Sequence, residues 1–132
     1  MNFTLLPNRY AICKFKNGLP LPEWVYSSDF YSITRTKDEL SVVSVHTDSI
    51  PEDTICNNGW RILKVAGPMD LSLVGIISEI SGTLRNKDIP VFVISTFDTD
   101  YILVKQKDLN RAVGALREKG HNLVAEERDM EL

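Results

Sequence analysis

The order of the elements predicted after residue 59 constrains the fold of this 132-residue chain more than any other feature. The predicted elements are a strand over 60–66, a helix over 70–86, strands over 91–94 and 101–104, a helix between Asp108 and Gly120, and a strand over 123–125. Strand–helix–strand–strand–helix–strand is the split βαβ arrangement of ferredoxin-like domains. We therefore predict a complete ferredoxin-like unit over residues 59–132, with its helices on one face of an antiparallel sheet.

The first predicted helix, which Asp70 is expected to cap, carries two stripes of residues. Apolar residues at helical spacing indicate the face that packs on the sheet, and they are Leu73, Ile77, Ile80 and Leu84. A second stripe holds the small residues Gly75, Ser78 and Gly82. Each glycine inside a helix costs about 0.5–1 kcal/mol relative to alanine. Either another backbone approaches this stripe closely, or the glycines are tolerated on an ordinary surface.

The first part of the chain predicts a shorter version of the same unit. Its expected elements are strands over 3–6, 10–15, 30–34 and 40–46, with about one helical turn at 23–25. Asp, Pro, Asn and Gly accumulate over 48–59, which is the best candidate boundary. The predicted fold class is α+β with tandem ferredoxin-like βαββαβ units, the first abbreviated (1–58) and the second complete (59–132).

Composition and charge exclude several classes of protein. The net charge is −3, with no basic excess of the kind that nucleic-acid binders use against phosphates. The first residues lack a signal-peptide pattern, and the apolar runs are shorter than the ~20 residues of a membrane helix. We therefore expect a cytosolic protein that contacts neither nucleic acid nor membrane. Cys13 and Cys56 lack metal or redox spacing and are expected to be reduced.

The sequence contains no known combination of catalytic residues. Motifs for nucleotide phosphates, metalloprotease zinc and activated serine are all missing. His46 and His121 lie in different predicted elements, and His121 is expected at the surface after the last helix. Cys56 is expected to be inert, in a loop. We predict a protein that is not an enzyme and that uses no cofactor or metal.

Two short segments are better suited to binding. Residues 65–71 lead a strand into a helix N-terminus, where free amides and the helix dipole can hold a carboxylate. Residues 95–100 place two carboxylates and three hydroxyls between apolar strands. The first and third strands of such a unit are usually neighbours, so the two segments can face each other and hold a zwitterion such as a free amino acid. Since Ser, Thr and Asp are also ordinary turn residues, a plain hairpin is the alternative.

Three separated segments carry a resemblance to a known family. The segments are Gly59–Ile76, Val93–Val104 and Asp38–Val43. They resemble ACT-domain proteins of the CASTOR type, a family that includes an arginine sensor and is related to the regulatory domains of lysine-sensitive aspartate kinases. The resemblance implies tandem ACT units with an amino-acid ligand where they meet. The arginine sensor has four such units and this chain has two, so a homodimer and a ligand other than arginine are both compatible with it.

The resemblance also implies a set of ligand-binding residues. They are Ser41 and Val42 from the first unit, the amide-rich loop of Gly67, Pro68, Met69, Asp70 and Leu71, and the polar segment of Ser95, Thr96, Phe97, Asp98 and Asp100. Asp100 is expected to meet a cationic group, and Met69 and Phe97 to add apolar bulk. The expected function is amino-acid sensing that regulates an unknown partner protein. The alternative is an assembly module without a ligand, for which the small stripe is the interface.

Overall fold

A computed structural model describes residues 1–18, 20–51, 54–66 and 75–125. The predicted loop residues Gly67 to Leu71, the first part of the predicted helix and the acidic residues after 125 lie outside the described residues. The described elements are β1 (Asn2–Leu5), β2 (Tyr10–Phe15), α1 (Glu23–Tyr26), β3 (Ser32–Arg35), β4 (Leu40–Val45), β5 (Ile55–Val65), α2 (Ile76–Arg85), β6 (Val91–Ser95), β7 (Asp100–Lys105), α3 (Leu109–Glu118) and β8 (Asn122–Ala125).

The chain divides into two compact units. The C-terminal unit consists of Met1–Pro7 with Arg61–Leu132, and the N-terminal unit is Asn8–Trp60. The chain leaves the N-terminal unit within β5. The fold is mixed α+β, and its βαββαβ order from β5 onward is the ferredoxin-like order that the sequence predicts.

The first strand of the chain belongs to the C-terminal unit. β1 is antiparallel to β5, with Phe3 opposite Val65, and parallel to β8, with Phe3 opposite Leu123. Together with β7, which pairs with β5 and β6, this gives the strand order β6-β7-β5-β1-β8. The predicted division at residue 58 differs from this arrangement because a local pattern cannot reveal that β1 inserts between strands far along the chain. The parallel β1–β8 pair also departs from a purely antiparallel sheet.

The hydrophobic core of the C-terminal unit lies between its strands and the helices α2 and α3. Its fully buried members include Phe3, Leu63, Ile80, Leu84, Ile102 and Ala112. α3 presents Leu109, Ala112 and Leu116, which recur at helical spacing, to this core, and Gly120 comes after the helix with φ 88°. Asp108 precedes α3 but makes no side-chain cap, since its Oδ1 accepts a hydrogen bond from Arg111 at 2.8 Å.

The helix α2 begins later than predicted. Gly75 has φ 82°, a left-handed conformation that an α-helix interior does not contain, so the helix starts at Ile76. Ile80 and Leu84 are buried as expected, and Ile77 is half-buried. Leu73 lies outside the described residues. The small stripe on α2 is therefore reduced to Ser78 and Gly82.

The strand β6 does not have the environment that its apolar run predicts. A continuous apolar run such as that of residues 91–94 is typical of a strand buried on both faces, but β6 pairs with β7 alone among the described strands. Phe92 is 37% exposed, and Val91, Val93 and Ile94 are half-buried. These side chains are therefore less buried than the continuous apolar run indicates.

The N-terminal unit has the strand order β3-β4-β2-β5, with the single turn of α1 before β3. Residues 55–59, predicted as part of the boundary segment, belong to the first half of β5, which pairs with β2. This register places Cys13 opposite Cys56, with Cα atoms 4.1 Å apart, and the two sulfurs form a disulfide. The expectation of two reduced thiols, with Cys56 in a loop, is wrong because cross-strand register brings together residues that are distant in sequence.

His121 is buried and not at the surface, because the residue that follows Gly120 turns back into the core. Its exposure is 6%, its ring contacts Phe3 edge-to-face, and Nε2 lies 3.3 Å from Oε1 of Glu79. None of the described helices is long and apolar enough to cross a membrane.

Candidate functional site

The candidate site is built on the β6–β7 hairpin of the C-terminal unit. Ser95 ends β6 and lies opposite Asp100, which begins β7. Two hydrogen bonds from Thr96 close the turn between them. The amide and the hydroxyl of Thr96 both donate to the carbonyl of Thr99, at 2.8 Å and 3.1 Å. The hairpin is thus a tight, ordered turn, which agrees with the turn chemistry of its residues.

One buried hydrogen bond joins this hairpin to the end of β5. The Thr99 hydroxyl donates to the carbonyl of Val65 at 2.7 Å, and the two residues are 5% and 0% exposed. Val65 is the last residue of β5 and the first residue of the segment 65–71 that was predicted to supply amides. The bond fixes the polar hairpin beside the point where the chain leaves β5.

Asp100 is the most deeply buried acid of the hairpin. It is 4% exposed, and its Oδ1 accepts a hydrogen bond from the Ser95 hydroxyl. A buried carboxylate is costly unless it is hydrogen-bonded or paired with a cation. Ser95 reduces this cost and fixes the orientation of the carboxylate.

The other predicted residues of the hairpin lie at its surface. Ser95, Thr96 and Asp98 are exposed, and Phe97 at the turn is 86% exposed. The hairpin therefore combines a buried polar pair, Thr99 and Asp100, with an accessible rim.

The opposite wall of the predicted pocket falls on Gly67, Pro68, Met69, Asp70 and Leu71, which lie outside the described residues. The structure describes Ala66, the residue before this loop. Its amide donates to the carbonyl of Asn2 at 2.8 Å, so β1 holds the chain one residue beyond β5. That these five residues face the hairpin stays a prediction.

Ser41 and Val42 lie on β4 of the N-terminal unit. Ser41 is half-buried opposite Lys14, and Val42 is 1% exposed opposite Cys13. Both belong to the strand that the resemblance indicated, and their contact with a ligand stays a prediction.

Thr99 is the residue that the sequence-based selection missed. It lies between two selected acids, and its sequence context is that of an ordinary turn. Its position directly before a buried strand was the available signal, because the last residue of a turn can direct a hydroxyl toward the neighbouring strand.

The hairpin carries both hydroxyl and carboxylate side chains. Its hydroxyls can donate or accept hydrogen bonds, and its carboxylates can accept them or pair with a cation. Within residues 1–18, 20–51, 54–66 and 75–125, no group of three His, Cys, Asp or Glu side chains is arranged to hold a metal ion.

Comparisons with known proteins place this arrangement in a family. The sequence model described as ACT domain matches residues 55–118, and a model of an N-terminal domain matches residues 8–53. A solved structure, protein Atu0741 from Agobacterium tumefaciens, is 36% identical with a TM-score of 0.87, over 96% of this chain and 93% of that one. The chain belongs to the ACT-domain family. The ACT match begins with the first residue of β5 and ends with the last residue of α3, so it contains the hairpin.

Curated relatives of this ACT-domain protein share less sequence. "Cytosolic arginine sensor for mTORC1 subunit 1" is 24% identical in Homo sapiens over 106 residues, and 31% identical in Bos taurus over 101 residues. These alignments cover 75% and 71% of this chain but 32% and 31% of the relatives. The chain thus spans about a third of the length of the curated relatives it matches.

A more distant solved structure agrees on the fold. The regulatory subunit of aspartate kinase from Thermus thermophilus has a TM-score of 0.62 at 10% identity, over 88% of this chain and 95% of that one. At this identity the likeness concerns the fold alone.

Proposed function

We propose that this ACT-domain protein is a regulatory module that binds a free amino acid and transmits its presence to a partner protein. The observation that carries the proposal is the Thr99–Val65 hydrogen bond, because it holds an acidic hairpin beside the end of β5. The loop after β5 would bind the ligand's carboxylate through its amides, and the hairpin would bind its amino group.

The names of the relatives support the choice of an amino acid. Several mammalian relatives are named as arginine sensors. This chain spans about a third of their length, so the identity of the ligand has to come from experiment. We propose no reaction for the site, and a ligand role for Ser41 and Val42 is part of this proposal.

A thermal-shift screen of the twenty common amino acids tests it. A ligand that binds only the folded state adds RT ln(1 + [L]/Kd) to stability, which is about 2.7 kcal/mol at a free concentration of about 100 Kd. We expect at least one amino acid to raise Tm at millimolar concentration. If none of the twenty does so, the proposal fails.

The variant Asp100→Asn locates the effect. It keeps the size of the side chain and an acceptor for Ser95 but removes the charge, so the ligand-induced rise in Tm should disappear. Asp108→Asn is the matched control, because Asp108 is equally buried (6% exposed) and hydrogen-bonded but lies at the other end of β7. Loss of the shift in both variants, or in neither, would argue against a site at the hairpin.

A further inference from the structure

The disulfide of the N-terminal unit joins two neighbouring strands at one point of their ladder, where Cys13 of β2 lies directly opposite Cys56 of β5. Their Cα atoms are 4.1 Å apart. This is closer to the spacing of a non-hydrogen-bonded antiparallel pair, about 4.5 Å, than to the about 5.5 Å of a hydrogen-bonded one. The backbone hydrogen bonds here therefore belong to the two flanking pairs. These pairs are Lys14 with Ile55 and Ile12 with Asn57.

A bulge separates this stretch of β5 from the rest of the strand. Tyr10 lies opposite Trp60 whereas Ile12 lies opposite Asn57, so β5 contains one residue more than β2 between these pairs. Gly59 has φ 82° at this point, a left-handed conformation that glycine adopts readily and that occurs in bulges. The segment Ile55–Asn57 is therefore held to β2 by three residue pairs, and one of the three is the disulfide.

The two cysteines differ in accessibility. Cys13 is 2% exposed on β2, which pairs with β4 on its other side. Cys56 is half-buried, and its neighbours Ile55 and Asn57 are both exposed. Thiol–disulfide exchange requires that a thiolate reach one sulfur of the bond. Cys56 is therefore the cysteine that a thiol in solution reaches.

We propose that this disulfide is a redox modification site, cleaved in the folded protein by exchange with a dithiol. A thiolate of the dithiol attacks Sγ of Cys56, the bond between the two protein sulfurs breaks, and Cys13 leaves as a thiolate that takes up a proton. The second thiolate of the reductant then attacks the reductant sulfur bound to Cys56, and Cys56 leaves in the same way. The reductant is oxidised to an intramolecular disulfide, and the protein gains two electrons and two protons.

Reduction changes what holds the start of β5. It removes the covalent pair of the segment Ile55–Asn57 and leaves two pairs beside a bulge. Segments with few buried contacts and exposed backbone hydrogen bonds open locally without global unfolding. The reduced protein therefore releases this segment from β2, while β2 stays paired with β4 along Tyr10–Phe15. This device is independent of whether the hairpin binds an amino acid.

Treatment of the full-length protein with dithiothreitol under native conditions tests the chemistry. Acid quenching, alkylation of free thiols and peptide mass spectrometry measure the extent of reduction. We expect complete reduction while the circular dichroism spectrum stays that of a folded protein. With the monothiol glutathione, the mixed disulfide should form at Cys56 in at least about tenfold excess over Cys13, because only Cys56 is accessible.

Two matched variants check which sulfur reacts. Cys13→Ser leaves Cys56 as a thiol, and Cys56→Ser leaves Cys13. Oxidised glutathione should modify the thiol of C13S at least about tenfold faster than that of C56S. Circular dichroism melting verifies that each variant is folded, and the glutathione adduct of the wild type gives the same information without a substitution.

Amide hydrogen exchange of the oxidised and reduced wild type measures the release of β5. The amides of Ile55 and Lys14 should exchange at least about tenfold faster after reduction, whereas that of Val42 on β4 should stay within about twofold. A disulfide that dithiothreitol reduces only in denaturant, or a glutathione adduct at Cys13, would overturn the proposal. Exchange at Ile55 and Lys14 that is equal in both redox states, or loss of protection at Val42 as well, would overturn it too.

Discussion

Gly75 and Gly82 belong to the same predicted stripe, but their backbones require glycine to different degrees. Gly75 has φ 82°, where a side chain is strained, whereas Gly82 lies inside α2 with open space around its Cβ position. The two glycines therefore share a stripe in the sequence pattern but differ in backbone conformation.

Alanine substitution at these two positions should have opposite effects on stability. Gly82→Ala should raise the free energy of unfolding by about 0.5–1 kcal/mol, because it restores helix propensity without a clash. Gly75→Ala should lower it by about 1 kcal/mol or more, because alanine is strained at positive φ. Urea denaturation of the two variants and the wild type measures both changes. If both substitutions stabilise the protein, the left-handed conformation of Gly75 is wrong.

Thr99 and the cysteines mark the limit of prediction at the residue scale. The acids of the hairpin could be selected from composition alone, because polar residues concentrate there between apolar strands. The bond from Thr99 to Val65 and the disulfide between Cys13 and Cys56 depend on which strands are neighbours and in which register. Neither property is encoded in the local pattern of residues.

At the scale of elements, local periodicity predicts most of the fold. The strands β2, β6 and β7 and the helix α3 are found within a few residues of their predicted positions, because their apolar patterns and boundary residues are local. The location of β1 in the sheet could not be predicted, since the residues opposite Phe3 are Val65 of β5 and Leu123 of β8, which are distant from it in sequence. The pairing of β6 with β7 alone among the described strands could not be predicted either, because an apolar run does not reveal how many neighbours a strand has.

The position of β1 leads to a test of the domain division. Phe3 is 1% exposed and belongs to the core of the C-terminal unit. Phe3→Ala in the full chain should cost about 3–5 kcal/mol, as for other buried aromatic residues. A fragment of residues 59–132 should not fold cooperatively, because it lacks β1 between β5 and β8.

Chemical denaturation and circular dichroism measure these two effects. Ile55→Ala is the control for the substitution: Ile55 is 70% exposed on β5 and should change stability by less than about 1 kcal/mol. Cooperative unfolding of the fragment with the stability of the full chain would show that β1 is dispensable.

At the scale of the whole molecule, the proposed ligand site lies in the C-terminal unit, at the hairpin turn and the end of β5. Membership of the ACT-domain family supports a regulatory role, while the ligand and the regulated partner require measurement on this chain.

The central claim is that an amino acid binds beside the end of β5, and amide NMR spectra test it most directly. The labelled protein is titrated with the amino acid that raises Tm most. We predict that the largest shift changes occur at the amides of Ala66, Thr99 and Asp100, with small changes along α3. Changes confined to α3 or to the N-terminal unit, with those three amides unmoved, would contradict the account.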